Sequence, residues 1–354
     1  MNSAPLVVNV GCYFDYPYEM QRSSQLGIEM RWTPARTDDE IVAAGAEATI
    51  LLSEDSEPIT AAVLDRLPRC QAIVKYAVGV DTIDIAAASE RGIVVANSAD
   101  FCTEEVSDHA AALLLASARQ IMTMDRTIRA GGWEEFPRIA PLRRLAHLTL
   151  GVIGFGRIGR RLAEKMSGFG LGLLVADPQL TPGQMPAGME LVTLDRLVRE
   201  ADLISLHVPL TPATRGLVGE RELRLMKPTA LIVNTSRGPL INEAALTRAL
   251  QERWIAGAAL DVMEEEPLPA NSPLRSLDNI VLTPHFGGQS VDSRANLHRS
   301  VMDSVEALLG GYWPPFPLNP MISPQRPLRP WIEFRQVLSS SSQLPPSTPP
   351  VNAV

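Results

Sequence analysis

The sequence predicts an α/β protein built from two doubly wound parallel sheets, and three observations carry that reading. Short β-branched runs alternate with helical patterns over most of the 354 residues, the pattern expected of parallel strands joined by crossover helices. Six such runs follow a long helical connector and suffice for a complete dinucleotide-binding sheet. A glycine-rich turn stands between the first of these runs and the helix after it.

Composition narrows the class. With 45% hydrophobic and 20% charged residues, the chain has apolar material for one large or two medium domains. Lys and Arg number 32 against 40 Asp and Glu, a net charge of −8, and no stretch concentrates the basic residues. A nucleic-acid partner is therefore not expected. Cys12, Cys70 and Cys102 are odd in number and widely spaced, fitting neither a disulfide framework nor a zinc site. No metal is expected, and a reducing, cytoplasmic setting is. No basic leader precedes the first apolar run, and stretches such as 110–116 are far short of a membrane span, so neither export nor a membrane is expected.

In chain order, strands are expected at 6–10, 50–52, 72–78 and 93–96. A helix over 104–119 aligns Val106, Ala110, Leu113, Leu114 and Ala118 on one face, and more helix to Ala130 leads to Gly131-Gly132. The second sheet takes strands at 149–153, 173–176, 203–208, 230–234, 258–262 and 280–283. A further helix runs from beyond Ser290 to about Leu309. From about Ser323 the chain is rich in Pro and Ser, and little fixed structure is expected over 323–354 because those residues supply too little apolar area to offset ordering.

Gly154-Phe155-Gly156-Arg157-Ile158-Gly159 matches G-x-G-x-x-G, with a strand leading in and a helix leading out. That context gathers free backbone N–H groups and the positive end of a helix dipole at one point, where a pyrophosphate can sit. Gly154 permits the turn, Gly156 lets phosphate approach, and Gly159 lets helix and strand pack closely. Asp177 ends the next strand, 18 residues after Gly159. A carboxylate there accepts hydrogen bonds from the adenine ribose hydroxyls and repels a 2′-phosphate, so NAD is expected over NADP.

Ligands of an open parallel sheet bind beyond the carboxyl ends of its strands. His207 and Pro209, Arg237, Asp261 and His285 all fall on that rim. His285 is the candidate general acid and base, giving a proton to a carbonyl oxygen and taking it back in reverse. A Glu266 carboxylate on the far ring nitrogen orients the imidazole and keeps it protonated. Arg237 offers a planar fork for a 2-oxo-carboxylate. Together they describe hydride and proton transfer at a carbonyl beside a carboxylate. His109, His147 and His298 read as structural or exposed, and His207 as a packing or cofactor-edge residue.

These segments, with Gly79-Val80-Asp81-Thr82-Ile83-Asp84, Gly92-Ile93-Val94-Val95-Ala96-Asn97, Asn234-Thr235-Ser236-Arg237-Gly238 and Thr283-Pro284-His285, resemble the D-isomer-specific 2-hydroxyacid dehydrogenase family over about residues 70 to 290. The wording around 100–108 and 129–133 resembles its bacterial C-terminal-binding-protein-like and phosphoglycerate-dehydrogenase-like branch. The resemblance implies a catalytic trio of Arg237, Glu266 and His285, and backbone at Val78, Gly79 and Val80 holding the substrate carboxylate. It further implies that Asp261 contacts the nicotinamide amide, that Thr103 and Ser236 lie near the cofactor, and that Arg157, Ile158 and Thr235 belong to the cofactor site. The implied fold is a discontinuous flavodoxin-like substrate domain, 1–102 with 289–322, and a Rossmann nucleotide domain, 103–288. The substrate would lie in a crevice between the two, and homodimers would form through the nucleotide domain. D-stereochemistry comes from the resemblance alone. Two other readings stand beside the dehydrogenase. One is an NAD(H)-sensing, corepressor-like binding protein, against which the full trio argues. The other is formate oxidation, for which the family pairs the histidine with Gln rather than Glu.

Overall fold

The computed structural model describes residues 5–54, 57–133 and 142–340. The chain divides into two compact units, Met1–Phe101 with Val291–Val354, and Cys102–Ser290. Among the described residues no helix is long and apolar enough to cross a membrane.

The first unit holds five strands, β1 (Leu6–Asn9), β2 (Glu29–Trp32), β3 (Ile50–Ser53), β4 (Ala72–Lys75) and β5 (Val94–Ala96). They pair in parallel in the order β2-β1-β3-β4-β5, the flavodoxin-like arrangement. Successive strand residues point to opposite faces. Leu6, Val8, Leu51, Ile73 and Val95 therefore face one core, with Ile41, Val63 and Ala87 of three helices. Val7, Ile50, Leu52, Val74 and Val94 face another, closed by Leu297, Val301, Val305 and Leu308 of the helix Val291–Leu309. That apolar stripe returns the end of the chain to the first unit.

The second unit continues with β6 (Thr149–Ile153), β7 (Gly172–Ala176), β8 (Met189–Leu191), β9 (Leu203–Leu206), β10 (Leu231–Asn234), β11 (Gly257–Leu260) and β12 (Ile280–Leu282). All pair in parallel in the order β12-β11-β10-β9-β6-β7-β8. The winding reverses between β6 and β9, so their carboxyl ends frame the position where such sheets take ligands. The helices Thr103–Ala118 and Arg157–Ser167 cover one face through Leu113, Leu114, Leu162 and Met166. The helices Leu194–Glu200 and Glu243–Gln251 cover the other through Leu197, Val198, Leu246 and Leu250.

Several expectations need correction. β2 and β8 were not expected, and the second sheet has seven strands rather than six. Both are edge strands with partly exposed faces, and neither Glu-Met-Arg-Trp nor Met-Glu-Leu carries a β-branched residue. The connector is two helices, Thr103–Ala118 and Ile121–Arg129, separated by Gln120 at φ +53°. Neither Gly nor Pro marks that break. The stretch from 323 to 340 has fixed structure. Gln325 donates from Nε2 to the carbonyls of Cys70 and Arg91, both at 3.1 Å. The helix Trp331–Ser340 buries Phe334 against Tyr312 and Trp331, with ring centroids 5.2 and 5.3 Å away. These aromatic residues supply the apolar area that the Pro and Ser content concealed. Residues 341–354 lie outside the described residues.

Candidate active site

β6 delivers the chain to Gly154, whose φ of +88° is a conformation that favours glycine. A Cβ there would lie 2.7 Å from the backbone of His207, which leaves β9 alongside. A Cβ on Gly159 would lie 2.1 Å from the Gly154 carbonyl, so glycine is what allows the helix Arg157–Ser167 to start so close to the turn. At Gly156 a Cβ would meet no protein atom, so the protein's own packing makes no demand for glycine there. Gly154 N–H donates to the Ala176 carbonyl at 2.9 Å. Phe155 N–H donates to Asp177 Oδ2 at 2.9 Å, and Oδ1 accepts from Gln179 N–H at 2.9 Å. The expected acid of β7 thus sits against the glycine turn.

Arg237 follows β10. Ser236 Oγ donates to the Leu206 carbonyl at 2.7 Å, and Asn234 Nδ2 to the Arg237 carbonyl at 2.8 Å. A Cβ on Gly238 would lie 1.8 Å from the Met263 carbonyl oxygen. Only glycine therefore lets the loops after β10 and β11 meet. The second loop brings Glu266, which accepts from Met263 N–H at 2.8 Å through Oε1 and lies 2.6 Å from His285 Nδ1 through Oε2.

The electrostatics follow. The hydrogen bond to Glu266 raises the His285 pKa above its ordinary 6.5, outweighing partial burial and the nearby Arg237 charge, which lower it. Burial alone would raise the Glu266 pKa. The bonds from His285 and Met263 N–H, with Arg237 beyond, bring it below the usual carboxylate value. Each shift favours its partner's charged form, imidazolium beside carboxylate, and the contact engages Nδ1 of the ring.

The remaining expected residues separate. His207 is enclosed, its Nε2 2.8 Å from Ser205 Oγ, and burial pushes its pKa down to about 4. A ring held neutral carries no proton to a substrate near neutral pH. Pro209 follows it on the rim, exposed. Asp261 is 1% exposed, and its carboxylate accepts from Thr283 Oγ1 at 2.6 Å, Phe286 N–H at 2.9 Å and Gly287 N–H at 2.8 Å. About three of a carboxylate's four acceptor positions are thereby taken by the chain itself. His109, read as structural or exposed, lies 3.0 Å from Thr283 Oγ1 through Nε2. Nothing in its sequence position on the connector helix signals this. Val78, Gly79 and Val80 follow β4 in the first unit, where Asn97 Nδ2 donates to the Val78 carbonyl at 2.6 Å and Ile83 N–H to the Val80 carbonyl at 3.0 Å.

Thr103 Oγ1, His207 Nδ1 and Thr235 Oγ1 are buried polar atoms without a hydrogen-bond partner among the described residues. Buried polar atoms are ordinarily satisfied. All three belong to residues expected beside a dinucleotide, and with the open approach to Gly156 they fit such a group.

Residues 111–287 match the family model described as "D-isomer specific 2-hydroxyacid dehydrogenase, NAD binding domain". The chain is 41% identical over 284 residues to a glyoxylate reductase of Korarchaeum cryptofilum, spanning 78% of this chain and 84% of that relative. The chain belongs to the D-isomer-specific 2-hydroxyacid dehydrogenase family. Among solved structures, the NADPH-dependent glyoxylate/hydroxypyruvate reductase of Sinorhizobium meliloti is similar to this dehydrogenase with a TM-score of 0.81 at 29% identity, over 92% of this chain and 100% of that one. D-lactate dehydrogenase of Aquifex aeolicus, complexed with NAD and lactic acid, is similar with a TM-score of 0.77 at 27% identity, over 86% and 96%. The dehydrogenase is an NAD(P)-dependent oxidoreductase of hydroxy and oxo acids.

Proposed function

We propose that the dehydrogenase reduces glyoxylate and similarly small 2-oxo acids with NADH, using Arg237, Glu266 and His285 as its catalytic residues. The observation that carries this reading is the 2.6 Å contact between His285 Nδ1 and Glu266 Oε2, with the Arg237 charge acting on both. A bound nicotinamide supplies the hydride in reduction and accepts it in oxidation. His285, held protonated by Glu266, gives its Nε2 proton to the carbonyl oxygen as that oxygen becomes an alkoxide. Glu266 compensates the imidazolium beforehand, so the ring needs no reorganisation during the transfer. Arg237 binds the substrate carboxylate and polarises the adjacent carbonyl. The glycine turn would hold the pyrophosphate, and the buried polar atoms of Thr103, His207 and Thr235 would offer hydrogen bonds to the bound dinucleotide.

NAD over NADP is supported by Asp177, whose charge at the end of β7 would repel a 2′-phosphate. A homodimer through the nucleotide domain is supported by the helix Ile121–Arg129. It buries no residue, and it exposes Ile121, Met122, Met124 and Ile128 by 38 to 52%. A cytoplasmic setting accords with three cysteines that form no disulfide among the described residues.

Purified protein assayed by nicotinamide absorbance against glyoxylate, hydroxypyruvate, pyruvate and branched and aromatic 2-oxo acids tests the reading. Turnover is expected on the smallest acids, faster with NADH than with NADPH. Tight NADH binding with no turnover on any 2-oxo acid contradicts it.

A further inference from the structure

The turn that carries His285 is held in an uncommon shape. His285 has φ +54°, a left-handed conformation that a non-glycine residue rarely adopts. Two kinds of anchor keep it there. His285 N–H donates to the Asp261 carbonyl at 2.7 Å, and the next two N–H groups, of Phe286 and Gly287, donate to the Asp261 carboxylate. The placement of the proton-carrying ring therefore depends on where the Asp261 carboxylate is fixed.

Asp261 is fixed in turn from the helix Thr103–Ala118. Thr283 Oγ1 lies 2.6 Å from Asp261 Oδ1, and His109 Nε2 lies 3.0 Å from Thr283 Oγ1 and 3.4 Å from Asp261 Oδ1. A carboxylate accepts only, so the single hydroxyl hydrogen of Thr283 is spent on Asp261. Toward His109 the hydroxyl must then accept, which assigns a proton to Nε2 of His109. The directions converge on Asp261: His109 Nε2–H donates to Thr283, Thr283 O–H donates to Asp261, and the Phe286 and Gly287 N–H groups of the turn donate to the same carboxylate. The His109 ring also walls the turn sterically. A Cβ on Gly287 would lie 3.2 Å from His109 Cδ2 and 2.8 Å from Asp261 Oδ2.

We propose that His109 is a positioning residue for the reaction, donating from Nε2 to Thr283 and so fixing the carboxylate from which the turn of His285 hangs. The proposal rests on the reading of His285 as the proton carrier. Without that donor Thr283 is held through Asp261 alone, the Asp261 anchor loosens, and the left-handed turn shifts relative to Glu266. Small misplacements of a reacting group lower the chemical step steeply and leave substrate binding largely alone.

The test compares His109→Leu, His109→Gln, Thr283→Val, the double variant of His109→Leu with Thr283→Val, and His285→Asn in the full chain, with saturating NADH and glyoxylate varied through KM. His109→Leu is expected to lower kcat on the order of tenfold, with KM and NADH affinity within about twofold. His109→Gln is expected to recover most of that loss, because its amide N–H reaches the same acceptor. Thr283→Val is expected to lower kcat as His109→Leu does, with little further loss in the double variant. An unchanged kcat in His109→Leu, or a loss that His109→Gln does not recover, overturns the proposal while leaving an inactive His285→Asn in agreement with the underlying reading. Full turnover in His285→Asn overturns both.

Discussion

His285 Nδ1 lies 2.6 Å from Glu266 Oε2, joining the loop after β12 to the loop after β11 at the carboxyl edge of one sheet. This contact raises the histidine pKa and lowers that of the carboxylate, so both partners are charged over the same pH range. Function then depends on pH in a definite direction.

On the proposed mechanism, reduction needs the imidazolium. Its rate should hold level past pH 6.5, the ordinary imidazole value, and fall only as pH rises through the raised pKa. Oxidation needs the neutral ring and should rise through the same point. Glu266→Gln removes the largest raising influence, so the alkaline fall in kcat/KM for reduction should move to lower pH. Profiles of kcat/KM in both directions, for the wild type and this variant, check the sign.

Gly156 and Gly238 should respond differently to alanine. At Gly238 the new Cβ would lie 1.8 Å from the Met263 carbonyl, a backbone atom that cannot step aside, so Gly238→Ala should cost about 3 kcal/mol. At Gly156 the Cβ meets nothing and φ is −73°, so Gly156→Ala should leave Tm nearly unchanged yet weaken NADH binding. Thermal melts with and without NADH separate the two effects.

Asp177 should set the choice between cofactors. Asp177→Ser removes the carboxylate charge at the end of β7 and should shift the NADPH-to-NADH affinity ratio toward NADPH on the order of tenfold. Fluorescence titration of both cofactors measures the ratio.

Phe334 should matter to stability despite its place beyond the proline-rich stretch. It is 8% exposed and packs on Tyr312 and Trp331. Phe334→Ala should destabilise the protein by about 3 kcal/mol, read as a lowered urea midpoint.

Much of this was legible in the sequence, and the exceptions share physical causes. The interior strands β6, β9, β10 and β11 are buried on both faces and read as continuous apolar runs. β2 and β8 are exposed edges, where composition says little. Gly154, Gly159 and Asp177 stood out because strand, turn and helix lie next to one another in sequence. His109 did not, because its partner Thr283 is 174 residues away. The ordered stretch from 323 to 340 was hidden for a similar reason, since Gln325 finds its acceptors on Cys70 and Arg91 in the first half of the chain.

The most direct measurement pairs turnover with cofactor affinity in Arg237→Ala and His285→Ala. If these side chains act on the substrate rather than on the dinucleotide, each variant should bind NADH within a few-fold of wild type while reduction of glyoxylate falls by a factor on the order of 10² to 10⁴. Wild-type turnover in either variant, or loss of NADH binding in step with turnover, contradicts the assignment.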